Sequence, residues 1–410
     1  MLRTTVLREL NFRFTDMKKE LCFTTADILL PKENEDRFAV IACDQFTSEP
    51  EYWESAKEYT NGYPSALDLI LPEIYLKDDN TEYINRINAN MRKYLNDGVF
   101  REVKDSFIYT RRVQSDGIVR TGIIGKIDLK EYTYTVGGVG KIRSTEKTVL
   151  ERIPPRAQIR RGAALELPHI MLLFDDKENS VMNFLEEKTL EKLYDFNLFG
   201  NAGSVSGYKV QGETADTVSK LLFDIEKKNG NLLFCVGDGN HSLAAAKSIY
   251  EKSGREQDRY ALVEIVNIHS PAINFEPIYR VLFGVNADSV INEFLSYSAE
   301  KGGKYTHKFK CIFSGGEREI KINSDYTLPV AALQDFLDTK KSGIKIDYIH
   351  GIESTERIAR SADSTLGFIF DGMKKEELFR AVIKDGCLPR KTFSMGHALD
   401  KRFYLEARRL

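Results

Sequence analysis

The sequence holds little of what would assign it at a glance. Its 410 residues contain only five cysteines, Cys22, Cys43, Cys235, Cys311 and Cys387. They are odd in number, scattered, and form no C-x-x-C, which argues against a disulfide framework or a zinc knuckle. The six histidines include no H-E-x-x-H and no pair at metal-ligand spacing, so no structural zinc is expected. There is no excess of either charge: 59 Lys and Arg against 61 Asp and Glu give a net −2. Dedicated DNA-binding domains are strongly basic, so this balance argues against DNA as a partner while leaving room for a local basic patch. No apolar run reaches about 18 residues, so no membrane span is expected. The first residues mix charges with apolar side chains and lack an apolar core of signal-peptide length, so a cytoplasmic location is expected. No internal repeat or low-complexity tract appears.

What is present is ordinary globular usage, 42% hydrophobic and 29% charged. Short apolar runs at Phe38–Cys43, Ile170–Phe174, Leu232–Val236 and Tyr260–Ile268 read as buried strands. Residues 50–100 read as helical, a helical insertion. The Ser115-Asp116-Gly117 turn between two β-rich runs predicts a hairpin within 107–134. The stretch after Lys147 reads as helix-like, broken by Pro154-Pro155, and 178–198 reads as helix. Beyond about 280, a hairpin over Ser314-Gly315-Gly316 precedes strands alternating with helices. The predicted class is α/β, an α+β mixed sheet. Residues 1–280 would form a core with its insertion at about 50–100, and 281–410 an α/β C-terminal region.

The most informative feature is Leu232–Val236, then Gly237-Asp238-Gly239-Asn240-His241, then a helix from Ser242 to Lys252. A strand that turns straight into a helix exposes unpaired N–H groups at the positive end of the helix dipole, an anion site. Gly237 and Gly239 let backbone approach a ligand. Asp238, Asn240 and His241 add an acid, an amide and a proton-transfer group. The plainer alternative is that Asp238 or Asn240 caps the helix and His241 packs.

Two nucleotide-binding patterns fail. Gly237-x-Gly239 lacks its third glycine, since position 242 is Ser242. Gly140-Lys141 lacks a glycine at Thr135 and a hydroxyl at Ile142. Arg143-Ser144-Thr145-Glu146-Lys147-Thr148 places two cations and a carboxylate together. Arg143 as a fork and Lys147 as a point charge suit a polyphosphate, and Glu146 suits a proton or Mg²⁺; a solvated helix start is the alternative. Asp44 and Gln45 follow a buried strand, where ligand-facing polar groups sit in α/β folds. Arg156, Arg160 and Arg161 form a basic cluster that reads as a solvated face. Glu276 and Arg280 read as an ion pair at the edge of the same cleft.

The segments FAVIACDQFTSEPEYW, RSTEKT, FCVGDGNHSLAAAK and HSPAINFEPIYRVL, in this order, resemble domain-of-unknown-function family 1015. That family's core resembles the ParB/sulfiredoxin-like scaffold, in which a strand–turn–helix cradles nucleotide phosphates and some members are free serine kinases. The implied Asp-Gly-x-His-Arg pattern falls on Asp238, Gly239, Asn240, His241 and Ser242, so its Arg is missing here; Lys247 or Arg143 are candidate replacements. The histidine of the family's RHE-x-T-type segment is also missing. Sulfiredoxin chemistry needs a cysteine where Asn240 stands, which excludes sulfinate repair. The resemblance implies a nucleotide-dependent small-molecule kinase, with free L-serine or a similar hydroxyl compound as acceptor, using ATP or ADP and Mg²⁺. Gly237, Gly239, Asn240 and Ser242 would cradle phosphate with Arg143 and Lys147. His241 would bind phosphate or shuttle a proton. Glu146 or Asp238, unranked, would serve the metal or the hydroxyl, with Asp44, Gln45, Glu276 and Arg280 around them. The alternative is a nucleotide-binding sensor without turnover. A homo-oligomer is left open.

Overall fold

The computed structural model describes residues 20–135, 137–148, 153–340 and 344–410. It is a mixed α/β structure, as expected. The path through the main sheet runs Lys192–Asn197, Ser204–Val210, Phe100–Val113, Val119–Asp128, Tyr260–Asn267, Met171–Phe174, Phe234–Asp238, Ile142–Arg143 and Tyr132–Thr133. The predicted hairpin is its middle: Ile108 faces Ile124, and the chain reverses where Gln114 N–H bonds the Ile118 carbonyl. Strand Phe234–Asp238 lies antiparallel to Met171–Phe174 and parallel to Ile142–Arg143. This pairing brings the Arg143–Thr148 segment beside the glycine turn.

The insertion forms helices Pro50–Thr60 and Thr81–Asn96. They close over a core that includes Trp53, Ile87 and Met91. Three expectations are corrected. The run at 178–198 is helical only over Ser180–Glu186, and Lys192–Asn197 is an edge strand. Its apolar Tyr194 and Phe196 alternate with Asp195 and Asn197, a strand period. The run from Phe38 is a strand only at Val40–Ile41, because Phe38 closes a short helix Glu35–Phe38. Pro154 and Pro155 do not break the helix Ile153–Arg160 but stand near the beginning of its described part; the helix-like stretch expected just before them, at 149–152, lies outside the described residues.

A second, antiparallel sheet is ordered Gly316–Ser324, Tyr305–Phe313, Thr365–Phe370, Phe275–Phe283 and Lys345–His350, with Phe393–Met395 on Phe275–Pro277. One hydrophobic cluster runs from Leu173, Cys235 and Val266 of the first sheet to Leu282, Phe294 and Phe368 of this region. Strand Phe275–Phe283 crosses residue 280 without interruption. The chain end then returns to the first sheet's side: Phe403–Tyr404 pairs with Val40–Ile41, and Arg408–Arg409 with Leu165–Glu166. Among the described residues no helix is long and apolar enough to cross a membrane.

Candidate active site

Strand Phe234–Asp238 ends at Gly239, whose φ of 81° opens helix Asn240–Ser253 with no intervening loop. A Cβ at Gly239 would stand 3.0 Å from Ile170 Cγ1 and 3.1 Å from its Cα. The glycine therefore meets two demands, a left-handed backbone and close approach. Ala244 and Ala245 are buried against Ile153 and Ala157, which seats the helix start close to its neighbours.

The turn is held from three directions. Asp238 Oδ1 accepts the Gly239 N–H at 2.9 Å, while Oδ2 pairs with Lys401 Nζ at 3.2 Å. Ser144 Oγ lies 2.7 Å from Asn240 Oδ1 and 2.6 Å from the Glu146 carbonyl. Thr145 Oγ1 donates to the Val236 carbonyl at 2.7 Å. Residues 145–147 are tied onward to the C-terminal region: Lys147 N–H donates to the Leu388 carbonyl and Leu388 N–H to the Thr145 carbonyl.

These pieces surround a cleft of about 360 Å³. The turn Gly237–Ser242 and the pair Glu146 and Lys147 line it, and Asp44 and Gln45 join them. Burial lifts the Glu146 carboxyl above the ordinary glutamate range, although it accepts the Lys391 N–H at 3.1 Å. Burial would also raise Asp44. There the nearby His169 and Lys401 and the Gln45 amide, 3.0 Å away, outweigh burial and hold its carboxyl below the usual range. The cleft thus holds two acids pushed in opposite directions, the arrangement that separates acid and base roles. The Cys43 thiol is pushed up to about 12 by burial, which leaves it unreactive as a nucleophile.

Ten of the candidates line this cleft: Asp44, Gln45, Glu146, Lys147 and the six residues of the turn. Three do not. Arg143 turns its Nε to the Gly140 carbonyl at 3.1 Å. Lys247, its fellow candidate for the missing Arg, reaches the Leu129 carbonyl and Glu251 instead. Glu276 and Arg280 are not an ion pair in the structure. Arg280 is fully buried and donates to the Ile278, Arg390 and Lys391 carbonyls, so it props the loop whose N–H meets Glu146. Glu276 is exposed on the strand beside Ser394. Of the arginine cluster, Arg156 lines the cleft and pairs with Glu73, and Arg160 pairs with Glu166.

Sequence reasoning missed His169, Lys391 and Lys401. His169 is buried, with Nε2 3.3 Å from Ser242 Oγ and Nδ1 2.7 Å from the Tyr404 hydroxyl, which lies 3.1 Å from Cys43 Sγ. Its position just before a buried strand was the available signal. The two lysines follow no local pattern. Among the described residues no three His, Cys, Asp or Glu side chains converge to hold a metal. A Mg²⁺ carried on phosphates would need only one or two carboxylates from the protein, and Glu146 and Asp238 both line the cleft.

Solved structures similar to this chain include a free serine kinase in complex with AMP, at a TM-score of 0.37 and 13% identity, covering 68% of this chain and 90% of that one. A conserved hypothetical protein from Pyrococcus furiosus scores 0.35 at 12% identity, covering 70% and 94%. SbnI with a C-terminal truncation, from Staphylococcus aureus, scores 0.36 at 11% identity, covering 67% and 82%. Likeness of this degree carries no functional argument. No curated protein matches the chain. The family model for the protein of unknown function DUF1015 matches residues 26–340, so the chain belongs to that family.

Proposed function

We propose that the protein is a nucleotide-dependent small-molecule kinase built on a ParB/sulfiredoxin-like core. One observation carries the reading: the start of helix Asn240–Ser253 opens into the same cleft as a carboxyl lifted by burial, with lysines around both. Phosphoryl transfer asks mainly for positioning and for cancellation of charge on the phosphates. The N–H groups of residues 240–242 would take phosphate oxygens, helped by Lys147. Mg²⁺, when bound with the nucleotide, would neutralise phosphate charge. Glu146 would accept the proton of an acceptor hydroxyl, since its raised pKa makes it a better base than an exposed glutamate. Asp238, already shared between Gly239 and Lys401, would hold the turn in shape. His241, on the cleft wall, would contact phosphate.

Free L-serine is the first acceptor to test. Purified protein is incubated with ATP or ADP, Mg²⁺ and serine, or a panel of amino acids and polyols, and phosphorylated product is sought by mass spectrometry. Product that disappears in Glu146→Gln supports the reading; no turnover of any acceptor sinks it. A second reading, a nucleotide sensor without turnover, draws on Ser242 standing where the resemblance implies an arginine, with Arg143 and Lys247 both engaged elsewhere. Tight ADP binding without product favours it.

A further inference from the structure

A second cavity, of about 150 Å³, adjoins the polar cleft and shares part of its wall: Cys43, Glu73, Arg156, His169 and Ser242. Its own lining is mostly aliphatic, with Leu71, Leu76, Met91, Ile159, Leu167 and Leu262 beside the Arg160–Glu166 ion pair. The helical insertion supplies several of these side chains, so the insertion closes a pocket beside the phosphate turn. Helix Asn240–Ser253 links the two compartments. Ser242 lines both, and Ala245, about 4.5 Å further along the helix axis and on the same face, lines only the aliphatic one.

We infer that this pocket receives the purine base of the nucleotide, an assignment that rests on the kinase reading above. The complex has to house phosphates, an acceptor hydroxyl and a base. The first two are polar and suit a cleft of lysines, carboxylates and backbone N–H groups. The base alone has broad faces that gain by leaving water, and this pocket is lined mainly by aliphatic side chains with a few polar ones among them, the Arg160–Glu166 pair included, as small-molecule sites are. The small side chain of Ala245 leaves room next to the turn, and a phosphate at Ser242 places the sugar at the shared wall.

The test uses the full chain and an azidoadenosine diphosphate photoprobe, with labelled peptides mapped by mass spectrometry. ADP-protected label within residues 69–91 or 159–170 is expected. ADP-protected label on 345–350 or 391–395 overturns the base pocket and leaves the nucleotide reading standing. No ADP binding by calorimetry removes that reading and the pocket with it. As a second measurement, Leu76→Glu changes a side chain that is 38% exposed, so the fold tolerates it. It should weaken ADP about tenfold and leave inorganic tripolyphosphate binding unchanged. Unchanged ADP affinity, or an equal loss for both ligands, overturns the assignment.

Discussion

Gly239 is the residue on which the geometry turns. Its φ of 81° is open to L side chains only at a cost of about 1–2 kcal/mol, and its missing Cβ leaves Ile170 undisturbed. Gly239→Ala should lower the unfolding free energy by that amount and weaken ADP binding as the helix start shifts. Wild-type affinity in a folded variant would show that the turn takes no phosphate. Glu146 makes a prediction in pH. Burial raises its pKa, so the folded chain holds this proton more tightly than the unfolded one. Stability from this group is therefore lost as pH rises from the ordinary glutamate range through the raised value. Turnover rises over the same interval as the base ionises. Glu146→Gln should flatten both slopes and cut turnover about 100-fold or more; a pH–rate profile that keeps its acid limb assigns the base elsewhere.

At the scale of elements, the site is a junction of segments far apart in the chain. The strand–turn–helix was legible because everything it needs is local: an apolar run, two glycines and an alanine-rich helix. The segment Ser144–Lys147 was legible as chemistry but not as carpentry. Its neutral residues matter as much as its charges, since Ser144 meets Asn240 and Thr145 holds the Val236 carbonyl. Thr145→Val should cost about 1–2 kcal/mol in denaturant, because it leaves a buried carbonyl without its donor. It should also lower nucleotide affinity while Glu146 remains in place. A variant as stable as wild type would show that the stitch is dispensable. Arg143 was misjudged for a related reason. Its backbone pairs with distant Cys235, and its side chain turns back to the nearby Gly140 carbonyl, away from the cleft.

At the scale of the molecule, the C-terminal region completes the site and also anchors the core. Lys391, Lys401 and Tyr404 reach the cleft region from a part of the chain that no local pattern connects to residues 237–242, which is why sequence reading could not find them. Their positions depend on strand pairing between distant segments. Arg402 shows how firmly the tail is held: its guanidinium donates to the Pro168 carbonyl and pairs with buried Glu264 and Glu406. Burial would raise the Glu264 carboxyl, but Arg402 and Arg120 outweigh it and hold it below the ordinary range. That contribution is present above the ordinary glutamate range and is lost as pH falls through the lowered value. Arg402→Ala should cost about 3–5 kcal/mol by leaving carboxylates buried without their partner. A loss below about 1 kcal/mol in urea melts would contradict this account of the tail.

The central claim is that nucleotide phosphates rest on the turn from Gly237 to Ser242. A crystal structure of the full chain with ADP and Mg²⁺ tests it most directly. The account predicts phosphate oxygens within hydrogen-bond distance of the N–H groups of residues 240–242, with Glu146 facing the terminal phosphate across the cleft. Phosphates bound away from that helix start, with the turn unoccupied, would contradict it.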